Sequence, residues 1–361
     1  MKVSKFFWQR IFFATNVFIF VYSHFVIANL SEGALKASVA LDLTGDYKLS
    51  KNSDSEDRFS VRGAEMSFYA PIDHHSQGVL SLAAHEESGN ARFEVHEAFF
   101  QFDSLLPRSS LTVGQFFLDI GRLNNWHQHD WPFITPPEVH KTFFAQEGVL
   151  DKGVQLSSLL PTPFYLNLTT GLTSGFNFGH SHGPGEKPKV PTHYLHLTSF
   201  FSLGSLDVQP GLTYLSRTDS QDEKTYFLGT DWTAKIKKGR QTDFLFQSEL
   251  WYKNTSQKGV DKEQQKLGLY LYPQIGFASN FELGLRYDYL ADLNLKDANE
   301  NDYTRSHQAL VPTLSYKPSE FSTFRIAYTA EFKSEGDDST VEHSIQFQGI
   351  YILGSHPSHS F

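Results

Sequence analysis

The chain has 361 residues, a formal net charge of −9, 40% hydrophobic and 15% aromatic residues, and no cysteine. Acidity of this degree excludes nucleic acid as the natural partner, and the missing thiols exclude disulfides, thiol catalysis and thiolate metal sites. Mean hydropathy is −0.36, and beyond the N-terminus no stretch approaches the roughly 18 consecutive apolar residues of a membrane helix.

Lys2, Lys5 and Arg10 precede an apolar stretch from Ile11 to Ile27, and Val26-Ile27-Ala28 fits a small-residue cleavage site. Residues 1–28 are expected to be a signal peptide and 29–361 the mature domain; a single anchoring helix is the alternative. Then Val39, Leu41, Leu43 and Tyr47 alternate with Ala40, Asp42, Thr44 and Asp46, a period of two with one apolar and one polar face. The same alternation predicts strands over 57–70, 78–88, 92–104, 110–120, 152–159, 163–173, 193–203, 206–217, 224–236, 241–253, 265–275, 280–291, 304–317, 321–333 and 341–353. Short turns carrying Pro107, Pro161, Gly204, Gly239 or Pro318 alternate with longer polar loops. That asymmetry belongs to a membrane barrel with tight periplasmic turns and long outer loops. The expected fold is all-β, a transmembrane antiparallel β-barrel of about 16 strands with a long third outer loop, placed in the bacterial outer membrane among its lipids. A barrel of this width is not filled by its wall side chains, so it should hold water and pass small hydrophilic solutes or ions. Both a monomer and a trimer are compatible with it.

Two loops stand out. The third, 121–151, holds Trp126, His127, His129, Trp131, Pro132, Phe133, Pro136 and Pro137, a composition suited to a packed insert folded into the pore. Trp126, Trp131, Phe133, Asp119 and Arg122 are therefore the predicted constriction. The fourth contains Gly-His-Ser-His-Gly and is rich in Gly and Pro. In the last strand, Phe347, Tyr351 and Leu353 are the candidate insertion signal, with Phe361 in a short tail.

From Glu65 to Pro161 the pieces GAEMSFYAPID, FEVHEAFFQF, SLTVGQFFLDIGRLNNWHQHDWPF and FFAQEGVLDKGVQLSSLLPTP resemble bacterial outer-membrane porin-like proteins. That group is related in pattern to phosphate-selective porins, and its members are often labelled zinc-regulated outer-membrane receptors. The resemblance implies a porin-like channel. It carries over neither a TonB-dependent receptor, for which there is no room for a plug, nor a basic phosphate ladder.

Sixteen histidines are the main chemical feature. Imidazole suits zinc, copper and nickel, so His127, His129 and Asp130, with His180, His182, His193 and His196, are candidate metal ligands. Zinc is the ion they would suit, although a channel requires no cofactor, and a metal-binding or metal-uptake accessory protein is the alternative function. Acidic loops and inward carboxylates such as Glu65, Glu97, Asp231 and Asp288 predict a mild preference for cations. No nucleophile elbow and no His-Glu-x-x-His motif is present, so enzymatic activity is not expected, a hydrolase at the rim being the remotest possibility.

Overall fold

The structure is a computed structural model that describes residues 35–49, 58–87, 90–103, 105–175, 187–238, 241–259, 263–296, 302–336 and 338–355. The expected signal peptide, His180, His182 and Phe361 lie outside the described residues. In chain order the strands are β1 (Lys36–Lys48), β2 (Arg58–Pro71), β3 (Ser76–Glu87), β4 (Asn90–Asp103), β5 (Ser109–Phe117), β6 (Leu150–Leu159), β7 (Tyr165–Thr173) and β8 (Val190–Leu203). They continue with β9 (Leu206–Thr218), β10 (Glu223–Lys238), β11 (Gln241–Gln257), β12 (Gln264–Phe277), β13 (Phe281–Lys296), β14 (Asp302–Ser319), β15 (Ser322–Glu335) and β16 (Asp338–Gly354). Each pairs with its sequence neighbours, and β1 pairs antiparallel with β16 in a register that includes Leu41 opposite Tyr351, so the sheet closes on itself. Antiparallel closure of an up-and-down sheet requires this even count.

Alternation decides what faces where. Val113, Leu172, Leu212, Leu250, Leu310 and Phe347 are exposed on the outside, while Thr213, Thr233, Gln247, Thr313, Ser315 and Gln346 are buried inside. An apolar exterior around a polar interior inverts the soluble pattern, and it is stable only where hydrocarbon surrounds the barrel. Phe347, Tyr351 and Leu353 all lie on that outer face. At the β1–β16 seam, inward Asp42 accepts from Gln348 Nε2 at 3.0 Å and from Arg62 Nε at 2.9 Å, while Arg325 donates to Gln348 Oε1 at 2.7 Å. A charged network of this kind pins the register, because a slip of one residue would turn Asp42 toward lipid.

All sixteen predicted strands are present, with shifted ends. Strand 110–120 stops at Phe117, because Leu118 and Ile120 leave the sheet to become fully buried within the lumen. Strands 241–253, 280–291 and 304–317 extend to Gln257, to Lys296 and back to Asp302. Their ladders run past the apolar belt into polar sequence, where alternation fades although hydrogen bonding continues. Between β5 and β6, in a span expected to be loop, the chain also forms a 3-10 turn (Gln128–Asp130) and a helix, α1 (Glu138–Phe144). Pro137 precedes α1 and Glu138 opens it, a pairing suited to the positive end of a helix. Seven residues do not hold a helix alone; Val139, His140, Phe143 and Phe144 are buried on one face and supply the rest.

Leu250 sits at the middle of β11 on the outer face, 40% exposed. Leu250→Arg should lower the unfolding free energy of the vesicle-inserted barrel by about 2–4 kcal/mol, the cost of a cation near the bilayer midplane. Urea titration followed by tryptophan fluorescence measures it, and an unchanged midpoint would mean that this face is not in lipid.

Candidate functional site

Residues 118–149, between β5 and β6, lie within the lumen. At their start Gly121 has φ +60, and a Cβ there would meet Trp251 Cζ2 at 2.7 Å and Glu249 Oε2 at 2.8 Å, so glycine permits both the turn and the close approach to the wall. The Gly121 N–H donates to Thr213 Oγ1 at 3.1 Å. Glu249 Oε1 accepts the Arg122 and Leu123 N–H groups at 2.9 and 2.7 Å, and Glu249 Oε2 accepts from Trp251 Nε1 at 2.6 Å. Asn124 ties the two arms of the insert together, donating to the Leu118 and Val149 carbonyls at 2.7 and 3.1 Å and accepting the Val149 N–H at 2.6 Å.

From this root, Leu123, Trp131, Phe133, Phe143 and Phe144 form one apolar core with Tyr194, Phe227, Trp251, Tyr270 and Tyr272 of the wall. The far end is held by arginines. Arg62 of β2 donates to the Ile134 carbonyl, and Arg286 of β13 donates to the carbonyl and hydroxyl of Thr135. Glu138 of α1 meets His307 of β14 at 3.2 Å. The insert therefore crosses the lumen and touches the wall on opposite sides.

Facing β2–β4, the insert meets a cluster of imidazoles and carboxylates. His127 Nδ1 lies 3.0 Å from Glu65 Oε2, and His127 Nε2 lies 3.1 Å from Glu97 Oε2. Burial alone would lower the His127 pKa, but Glu65 and Glu97 outweigh it and hold the value well above the ordinary histidine range. Beside this pair, His85, Glu94 and His96 of the wall gather with Glu147 of the insert. A cavity of about 30 Å³ lies between them and Asp42, Arg62 and Phe117.

On the short-turn side, a cavity of about 150 Å³ is bordered by Arg122, Trp126 and Asp130 of the insert and by Lys235, Glu282, Lys317 and Arg325 of the wall. The Arg122 guanidinium stacks 4.1 Å from the Trp126 ring, and burial lowers its pKa to about 10. On the long-loop side, a larger cavity of about 560 Å³ is bordered by Lys266, Asp292, Arg305, His307 and Lys333.

The predicted site residues divide accordingly. Trp126, Arg122 and Asp130 border the 150 Å³ cavity, whereas Trp131 and Phe133 are fully buried in the core and anchor the insert without lining open space. Asp119 lies 3.0 Å from His196 Nδ1 and accepts from Thr169 Oγ1 at 2.8 Å; burial raises its pKa, and these contacts more than offset it and bring the value below the usual range. His193 and His196, both candidate ligands, are not brought together by the structure. Three residues apart on a strand, they face opposite ways: His196 is buried between Asp119 and Asp231, while His193 packs outward against Tyr214. His129 lies 3.3 Å from Asp130 and 4.0 Å from Glu65, at the edge of the cluster. His85, Glu94, His96 and Glu147 were not singled out as ligands. Their signal was present in Phe93-Glu94-Val95-His96, where the alternation puts glutamate and histidine together on the inner face.

No model of a known protein family matches the chain. A protein of Aquifex aeolicus (strain VF5), described as uncharacterized, is 28% identical over 334 residues, covering 84% of this chain and 70% of its own length. Among solved structures, the outer-membrane channel DcaP of Acinetobacter baumannii superposes with a TM-score of 0.62 at 11% identity, over 91% of this chain and 100% of that one. The anion-selective porin of Comamonas acidovorans gives 0.63 at 9% identity, over 89% and 100%. OmpT of Vibrio cholerae, an outer-membrane protein in its trimer form, gives 0.61 at 9% identity, over 90% and 100%. The fold is that of the outer-membrane porins.

Two measurements probe the insert. Glu249→Ala removes the acceptor for three buried donors and should weaken the seating of the insert by about 3 kcal/mol or more; accelerated proteolysis within 118–149, with the strands intact, would show it, and native protease resistance would refute it. His140, packed 5.1 Å from the Trp131 ring, is held by burial at about 3. Since its unfolded value is about 6.5, it supports the insert above that pH and loses the contribution as pH falls toward about 3, where the unfolded chain takes up a proton that the packed insert refuses. Hydrogen exchange of the insert, corrected for the chemical rate, should rise on acidification, and His140→Phe should flatten the rise; equal dependence in both proteins would place the cause elsewhere.

Proposed function

We propose that the protein is a channel of the bacterial outer membrane through which small hydrophilic solutes or ions diffuse passively, with the insert setting the width and charge of the path. The observation that carries this is a polar lumen that holds cavities of about 150 and 560 Å³ bordered by charged side chains, the narrower one lined in part by the insert. A barrel that served only as an anchor would not need charged groups along its interior, where each costs desolvation.

Beside the cation preference expected from the sequence, we propose the opposite sign for the narrow part of the path, from where charges sit. Asp42 is engaged by Arg62 and Gln348, Asp231 by His196, Glu249 by backbone N–H groups and Asp288 by Arg286. Arg122, Lys235, Lys317 and Arg325 border the narrow cavity with two carboxylates, Asp130 and Glu282, of which Glu282 is paired with Lys317 at 2.7 Å, so basic groups outnumber acidic ones there. Rings of basic groups favour anions, so small anions are the preferred cargo.

Planar-bilayer recording tests both parts. Deleting about 125–140 should raise single-channel conductance several-fold, and unchanged conductance in a folded deletion would take the insert out of the path. In a KCl gradient the native reversal potential should have the sign of anion preference, weakening with salt as exposed charges are screened. Lys235→Glu with Lys317→Glu should move it toward cations. Cation preference in the native barrel would return selectivity to the acidic loops.

A further inference from the structure

We propose that His85, Glu94, His96 and Glu147 form a binding site for one divalent transition-metal ion of the zinc class, fastening the insert to the β3–β4 wall. Four ligand atoms converge, one from each residue, all within 4.8 Å of one another. His85 Nε2 and His96 Nε2 are 2.9 Å apart, and Glu94 Oε1 lies 3.3 and 3.2 Å from them. Glu147 Oε2 is 3.5 Å from His96 Nε2. Ligands at about 2.0–2.1 Å from a tetrahedral zinc ion stand about 3.3 Å from one another, close to the spacings among His85, Glu94 and His96 and from His96 to Glu147. Two neutral imidazoles and two carboxylates offset a charge of 2+, and imidazole favours zinc, cobalt or nickel over magnesium and calcium.

The supporting contacts are those a metal site needs. His85 Nδ1 lies 3.2 Å from the Arg62 carbonyl, which selects the tautomer that leaves Nε2 as a lone-pair donor. His96 Nδ1 faces Glu65 Oε2 at 3.6 Å, and Glu65 is in turn held by Ser81 Oγ at 2.6 Å and Ser67 Oγ at 3.1 Å. Three ligands stand on adjacent strands of a rigid sheet, in which Ala83 is paired with Glu94 and His85 with Arg92. The fourth comes from the last turn of the insert, so occupation couples the insert to the wall.

The test uses the full refolded barrel, its folding checked by heat-modifiable migration, with Zn2+ and Co2+ as probes. Elemental analysis after dialysis against Zn2+ should give one ion per native chain, and bound Co2+ should show the intense visible bands of tetrahedral coordination. His85→Ala with His96→Ala should lower affinity at least about 100-fold, and Glu147→Gln about tenfold. If the double variant does not fold, Glu94→Gln replaces it, with the same expectation of loss. His180→Ala with His182→Ala should leave the affinity unchanged. Absence of binding by the native barrel, undiminished binding without His85 and His96 or without the Glu94 carboxylate, or loss of binding with the His180/His182 pair would each overturn the site.

Discussion

The rest of the structure depends on one requirement: in hydrocarbon, every backbone N–H and C=O must be paired within the protein. A sheet meets it only by closing, and here the pairing of β1 with β16 removes the last free edge. Closure of sixteen strands then creates a second problem. The wall turns its polar side chains inward around a space too wide for them to fill. Asp42, Arg62, Gln348 and Arg325 answer it at the seam by hydrogen-bonding to one another. Elsewhere the answer is the insert.

The insert brings its own apolar core into a polar lumen, where it would not be stable without a matching wall. Tyr194, Phe227, Trp251, Tyr270 and Tyr272 provide one, a patch of inward aromatics on β8 and β10–β12 that breaks the polar-inside rule where the insert lands. Polar anchors complete the seating. Glu249 satisfies the backbone donors of the first turn, and Arg62 and Arg286 satisfy the carbonyls at the far end. Arg62 and Arg286 each keep a carboxylate partner, Asp42 and Asp288, while they bind neutral backbone carbonyls, which fixes position without leaving an unpaired charge.

With the insert in place, chemistry concentrates on its two faces. Toward β2–β4 it presents His127 and Glu147 to a wall of His85, Glu94, His96 and Glu65, a set suited to holding a cation. Toward the short turns it presents Arg122 and Trp126 to Lys235 and Arg325, a set suited to guiding anions. One loop therefore contributes side chains to both sets, and in the proposed channel it would set width and charge together.

Strand order, strand number, closure and the outward face were legible in the sequence, because period-two alternation is imposed residue by residue by the contrast between lipid and water. The unusual aromatic content of 121–151 also marked an insert, since tryptophan and proline in a long loop need burial to be stable. Ligand groupings were not legible. His127 and Glu65 are 62 positions apart in the chain and 3.0 Å apart in space, whereas His193 and His196 are close in sequence and face opposite ways. Sequence proximity reports neighbourhood only along one face of one strand. Which strands the insert reaches is set by the path of residues 118–149 across the lumen, and that path is decided by packing and by buried hydrogen bonds that no local pattern encodes.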